Sequence, residues 1–347
     1  MTNRLKFMLK KELLQTLRDP RMRIVILVMP IFQTLIFGYA VTTDVKKVDT
    51  AIVDLANTAG TRATTDQFIS SGIFIPTYKT SYGEAWYAMD QGDIQAMILF
   101  NRQGQMQFVT DGSRGLSAGV TSGYAAAILA GNQQPPIKVE SRAWYNPLLE
   151  SRNFYVPGVI AMMVMVVTLI LSSMAVVREV EIGTMEQIMV TPMKRWEFIV
   201  GKLLPFGAIG MVNVLVVTAV AVFWFNIPLQ GSLPLLMLGA VLYLMNTLGM
   251  GLLISTVSRT QQQAMLSAFF VIFPASLLSG FAFPIANMPG IIRFFTLFNP
   301  MRYMMTILRD IFLKGNGLDI LWPNYLAMFL LGAALLTTAT LRFKKTG

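Results

Sequence analysis

Two long apolar runs with a polar island between them constrain this chain more than any other feature. The residues from Asn153 to Val177 and from Leu203 to Ser258 include no Asp, Glu, Lys or Arg. About 20 apolar helical residues suffice to cross a bilayer, so each run is long enough to do so. The island, 178–202, holds four basic and four acidic residues. It is expected to be a surface loop that two membrane helices hold in place. Read as a helix, it puts Ile182, Met185 and Met189 on one face and Glu179, Gly183 and Glu186 on another. That pattern predicts an amphipathic helix at the membrane surface with its carboxylates outward. A glycine in its interior implies close approach of another backbone. Thr191-Pro192 should stop the helix, since the residue before a proline avoids helical angles. A second short helix should follow, with Trp196 and Phe198 at headgroup level.

The rest of the chain agrees with a membrane class. It is 54% hydrophobic and only 13% charged, too apolar for a soluble globular protein. Six spans are expected, near 24–43, 153–177, 203–225, 235–256, 264–282 and 322–341. The inner segments would then be 1–23, 178–202, 257–261 and 342–347, with 15 basic and 6 acidic residues, against 13 and 12 elsewhere. This asymmetry follows the positive-inside rule and puts both termini in the cytoplasm. It also explains the net charge of +10 without invoking nucleic acid. Absence of cysteine and histidine excludes disulfides, thiolate or imidazole metal sites and Ser-His-Asp catalysis. No Asp, Glu, Lys or Arg falls in the middle of a span, which argues against a proton- or sodium-driven transporter. The few polar residues there, Gln33, Asn213, Asn246, Ser276 and Ser279, suit helix–helix contacts or a route for an amphipathic substrate.

Outside the spans, residues 1–23 read as an amphipathic helix on the inner leaflet, with Leu5, Leu9, Leu13 and Leu17 on one side. Residues 44–150 differ in composition. Charges return in balance and short β-rich runs alternate with helical stretches, as in a small α/β domain of β-α-β-α-β-β-α-β order. Its strands are expected at Thr50–Val53, Ile73–Tyr78, Ile94–Phe100, Met106–Thr110 and Ile137–Trp144, with a hairpin turn at Asn101–Gly104. The first span places this domain outside the membrane. Between 283 and 316, Pro284, Pro289 and Pro300 forbid a continuous helix, and the apolar segments Ile291–Phe298 and Met304–Leu313 are too short to span. Non-helical backbone at membrane depth survives only inside protein or along a cavity, so a re-entrant element is expected there.

Two blocks carry a family resemblance. The run Arg178-Glu179, Glu181, Gly183-Thr184-Met185-Glu186-Gln187, Thr191-Pro192, Glu197, Gly201-Lys202 resembles the cytoplasmic loop of type-2 ABC exporter permeases. The block Leu278 to Pro289, with Gly280, Phe283 and Pro284, followed by Asn299-Pro300, Arg302-Tyr303 and Arg309, is similar to the multidrug-efflux branch of that family. The resemblance implies that Arg178, Glu179, Glu181, Gly183, Thr184, Glu186, Gln187, Thr191, Pro192 and Lys202 couple the chain to a separate ATPase subunit. It implies an exit element bearing Gly280, Phe283, Pro284, Pro289, Pro300, Arg302 and Arg309. No Gly-x-x-x-x-Gly-Lys-Ser/Thr loop occurs, so no cofactor is expected in this chain, and ATP and magnesium would be bound by the partner ATPase. Six spans are few for a pathway, so a second permease chain, identical or paralogous, is expected. Membrane lipids and a periplasmic adaptor are further expected partners. Alternatives are an ATP-independent sensor or scaffold whose outer domain binds a ligand or partner, and a lipid or polysaccharide exporter permease.

Overall fold

A computed structural model describes residues 7–12, 14, 18, 20–40, 47–131, 150–185 and 195–342. It divides into two compact units, one formed by 1–42 with 150–347 and the other by 43–149.

The first unit is helical. Pro20–Arg23 runs through a π-helical stretch, Ile24–Val28, into Met29–Ala40, together α1. After the second unit come α5 (Ser151–Ser173), α6 (Val177–Ile182), α7 (Arg195–Ala219, prolonged by Val220–Trp224), α8 (Leu233–Val257) and α9 (Gln261–Leu277). The set ends with α10 (Gly290–Phe295), α11 (Pro300–Arg309, prolonged by Asp310–Lys314) and α12 (Leu318–Arg342). Among the described residues, four stretches are long and apolar enough to cross a membrane: Ser151–Ile182, Trp196–Trp224, Leu233–Val257 and Leu318–Arg342. Neither α1 nor the 17-residue α9 is among them. The span expected at 264–282 ends at Leu277, because Gly280 takes a left-handed turn (φ +84°) soon after it.

The four long helices are not equivalent. The apolar stretch of α5 is 78% buried and that of α12 only 22%. With α1, α7, α8, α9 and α11 all packed on it, α5 is the centre of the unit. It is apolar all round, as a fully surrounded helix must be. Polar side chains fasten it to α8. Tyr243 Oη donates to the Ala161 carbonyl at 3.1 Å, and Thr168 Oγ1 lies 2.8 Å from Thr247 Oγ1. Each such bond contributes about 0.6 kcal/mol inside a membrane. Near its end, Ser172 donates to the Thr168 carbonyl and Ser173 to that of Ile170. Such back-bonding bends helices, and the chain turns at Met174–Val176. Ser255 Oγ on α8 then accepts the Val176 and Val177 amides at 3.0 and 3.2 Å, which satisfies groups that the turn exposes.

The second unit holds β1 (Val48–Asp54), α2 (Ala59–Ser70), β2 (Phe74–Tyr78), α3 (Tyr82–Gln91), β3 (Ala96–Phe100), β4 (Met106–Thr110) and α4 (Gly115–Ala130). Strand order is β2-β1-β3-β4; β1 is parallel to both neighbours and β4 antiparallel to β3. Period-two alternation splits its core. Val48, Ile52 and Ile98 face Phe68 of α2 and Ala125 of α4, while Ala51, Val53, Met97 and Leu99 face Ala85 and Ala88 of α3. Asn101 Oδ1 closes the β3–β4 hairpin by accepting the Gln103 and Gln105 amides. The expected strand at Ile137–Trp144 lies outside the described residues.

Candidate functional site

The island and its flanks build a charged knot at one end of the helical unit. Three segments meet there: helical residues 7–12, α6, and the first turns of α7. Lys202 on α7 has 3% of its side chain exposed. Its ammonium lies 2.8 Å from Glu12 Oε1 and donates to Glu179 Oε1 on α6. Glu179 also accepts from Thr184 Oγ1. Lys11 stands 3.8 Å from Glu179 and 3.7 Å from Glu12. Two carboxylates and two ammonium groups therefore balance. Lys11 is more than half exposed, but removing one of the buried partners Glu12, Glu179 or Lys202 costs about 3–5 kcal/mol, since it strands an unpaired charge. Beside it, a Cβ on Gly201 would lie 2.6 Å from Met8 Sδ. Gly201 and Lys202 thus act together, the first admitting the N-terminal segment and the second holding it by charge.

The sequence-predicted residues divide into three groups. Glu179, Thr184 and Lys202 are brought together. Glu181 and Gly183 are exposed, and Arg178 is half-buried. Glu181 Oε2 accepts the Gln261 amide at 3.1 Å and its side-chain nitrogen at 2.8 Å, tying α6 to the start of α9. Glu186, Gln187, Thr191 and Pro192 lie outside the described residues. Several expectations need correction. The helix in the island is short, Val177–Ile182, and Gly183 ends it with φ +81°. Nothing lies within 4 Å of a Cβ there, so Gly183 serves the left-handed cap and not a close backbone approach. Glu179 points inward, because its partner Lys202 is buried. Besides Glu181, the outward side chains are the apolar Val180 and Ile182, 52% and 60% exposed. No separate short helix carries Trp196 and Phe198; α7 runs unbroken through Lys202, and Phe198 is buried. Glu12 was not among the expected residues. Its only sequence signal is its place as the one acid in a basic lead as far as Arg18.

In the second block, the two arginines make internal contacts. Arg309 on α11 lies 3.7 Å from the Phe154 ring centroid and donates through Nη2 to the Gly280 carbonyl at 2.9 Å. Arg302 Nη1 donates to Thr296 Oγ1 at 2.5 Å. Pro284 precedes a 3-10 turn, Pro289 precedes α10, and Pro300 is the first residue of α11, where its fixed φ suits a helix start. Asn299 caps α11, accepting the Met301 amide at 3.0 Å and donating to Ala275 at 2.7 Å. Helix α11 therefore begins at Pro300, earlier than Met304. It buries Met301, Met304, Met305, Ile307 and Leu308, whereas Phe283 is exposed.

Several helices long and apolar enough to span, plus a small α/β unit, define a multi-pass membrane protein. The profile for ABC-2 family transporter proteins matches residues 20–341, and the chain belongs to that family. Among its relatives is YbhR of Escherichia coli K12, a probable multidrug ABC transporter permease, 30% identical over 367 residues and 99% of both chains. YbhS of the same organism carries the same description. It is 33% identical over 358 residues, covering 96% of this chain and 94% of its own. The inner membrane transport permease YhhJ of that strain is 30% identical over 272 residues, 73% of this chain and 71% of its own.

Proposed function

We propose that this chain is the membrane-spanning subunit of an ATP-driven exporter in the bacterial cytoplasmic membrane. It works with separate ABC ATPase subunits, which bind ATP and magnesium, and with a second permease chain. In this reading α1 and α9 join the four long helices as spans, both termini face the cytoplasm, and the α/β unit lies outside. Residues 283–316 form the re-entrant element on the exit side. The relatives named as multidrug permeases support drugs or other amphipathic compounds as cargo.

One observation carries the coupling role. Helix α6 is anchored from behind by Glu179–Lys202 and Glu181–Gln261, while Val180 and Ile182 are left exposed. A lever needs this arrangement: a rigid attachment to several spans and a free face for the motor. The ATPase would push on Val180, Ile182 and Gly183, and the knot would pass the force to α7 and the N-terminal segment. The double variant Val180→Asp/Ile182→Asp should keep the wild-type melting temperature, since neither side chain is buried. It should fail to co-purify with the ATPase and lose ATP-dependent export into inverted vesicles. Wild-type co-purification and export would refute the assignment of this face.

A further inference from the structure

From Phe281 to Arg309 the chain carries three arginines and no Asp or Glu. Two of them, Arg302 and Arg309, stand two turns apart on α11 and so share a face. Both are half-buried. Among the described residues neither meets an acid. Arg302 donates to the Thr296 hydroxyl and lies 5.8 Å from the ring of its neighbour Tyr303. Arg309 has one acceptor, the Gly280 carbonyl, and its Nε is buried with none. The acids close by are engaged elsewhere. Asp310, next in the chain, takes Lys314 at 2.6 Å, and Glu150, at the start of α5, takes Arg152 at 2.8 Å. Around the Arg309 guanidinium the surroundings are aromatic. It rests on Phe154; Tyr155 follows at 5.2 Å, Phe281 lies 6.2 Å from Tyr155, and Phe37 of α1 lies 6.0 Å from Phe281. A row of rings thus leads from the cation across α5 to α1. Phe154 is in the first turn of α5, about 30 Å along that helix from the turn that leads to the knot.

We propose that Arg309 and this aromatic row bind an amphipathic aromatic acid as cargo, the guanidinium taking its carboxylate and the rings its apolar body. A guanidinium held among membrane helices without a counter-charge carries a cost that an anion removes. Its planar fork matches a carboxylate, and ring faces and edges suit an aromatic body beside it. The inference rests on the export reading in that residues 283–316 lie on the exit route.

Binding of pyrenebutyrate to the full chain in phosphatidylcholine nanodiscs, measured by equilibrium dialysis above the signal of empty nanodiscs, tests the site without the ATPase. Wild type should bind the acid about tenfold more tightly than its methyl ester, the worth of one charged hydrogen bond. Arg309→Lys keeps the charge and loses the fork. It should weaken acid binding about tenfold and leave the ester unchanged, which a purely structural role would not do. If that variant does not fold, the acid-to-ester ratio of wild type decides alone. Equal binding of acid and ester, or undiminished acid binding to Arg309→Lys, would overturn the proposal. So would outright loss of acid binding when phosphatidylglycerol is added to the nanodiscs, since lipid phosphate would then be the acceptor. Absence of binding would overturn it too and leave that acceptor to the second permease chain. Inverted vesicles supplied with the ATPase separate this inference from the export reading. Export of neutral amphiphiles but not of pyrenebutyrate sinks the inference alone. Tight binding of the acid with no export of any compound leaves the site standing and sinks the export reading.

Discussion

At the scale of single residues, Lys202 explains most about the end of the helical unit where α6 and α7 meet. A buried ammonium is tolerated only with carboxylates in contact, and Glu12 and Glu179 supply them from two other segments. Lys202→Met should lower stability by about 3–5 kcal/mol, seen as a lower melting temperature of the purified protein, because it strands two acids. The triple variant Glu12→Leu/Glu179→Leu/Lys202→Met should recover most of that loss, since an apolar replacement of a buried ion set is often neutral. If the single and triple variants melt alike, the knot is not the strained part. Gly201 gives an independent test. Gly201→Val should displace residues 7–12 by collision with Met8, and Met8→Ala should relieve it, read by protease protection of the N-terminal segment.

Among the elements, the pair α5–α6 and the segment 278–309 differ most from what periodicity suggests. Helix and strand placement in the α/β unit follows the sequence closely. The expected strand Met106–Thr110 matches β4, and Ile73–Tyr78 exceeds β2 by one residue. That is because amphipathic elements against water display their faces in the pattern of polar and apolar residues. Within 178–202 the same method misplaces Glu179. A pattern of faces presumes water on one side, and here the second side is Lys202. In the later block, the prolines are legible as interruptions but not as the helix starts they are. Arg309 holds this block to α5 through Phe154 and to the turn through Gly280. Arg309→Met should destabilise the protein by about 2 kcal/mol, the sum of a cation–π contact and a charged hydrogen bond. An unchanged melting temperature would show that neither contact matters.

Over the whole molecule, two units with separate cores predict separable stability. A fragment spanning 43–149 should be soluble and melt cooperatively by circular dichroism, because its sheet is covered on both faces by its own helices. A disordered fragment would mean that the unit depends on the helices for folding. The amino-acid sequence by itself determined the class: membrane helices from apolar length, a mixed α/β unit from restored charge and period two, and the family from a polar island and a proline-interrupted block. It did so because hydropathy measures transfer out of water, which every membrane segment undergoes. Only the tertiary structure decided which helix is central, that Glu12 meets Lys202 across 190 positions, and that Arg309 meets Phe154. Lipid tails are as apolar as leucine, so the helices gain nothing from hydropathy by choosing one another. Shape and a few buried polar pairs make that choice, and neither is written in the order of residues along a single helix.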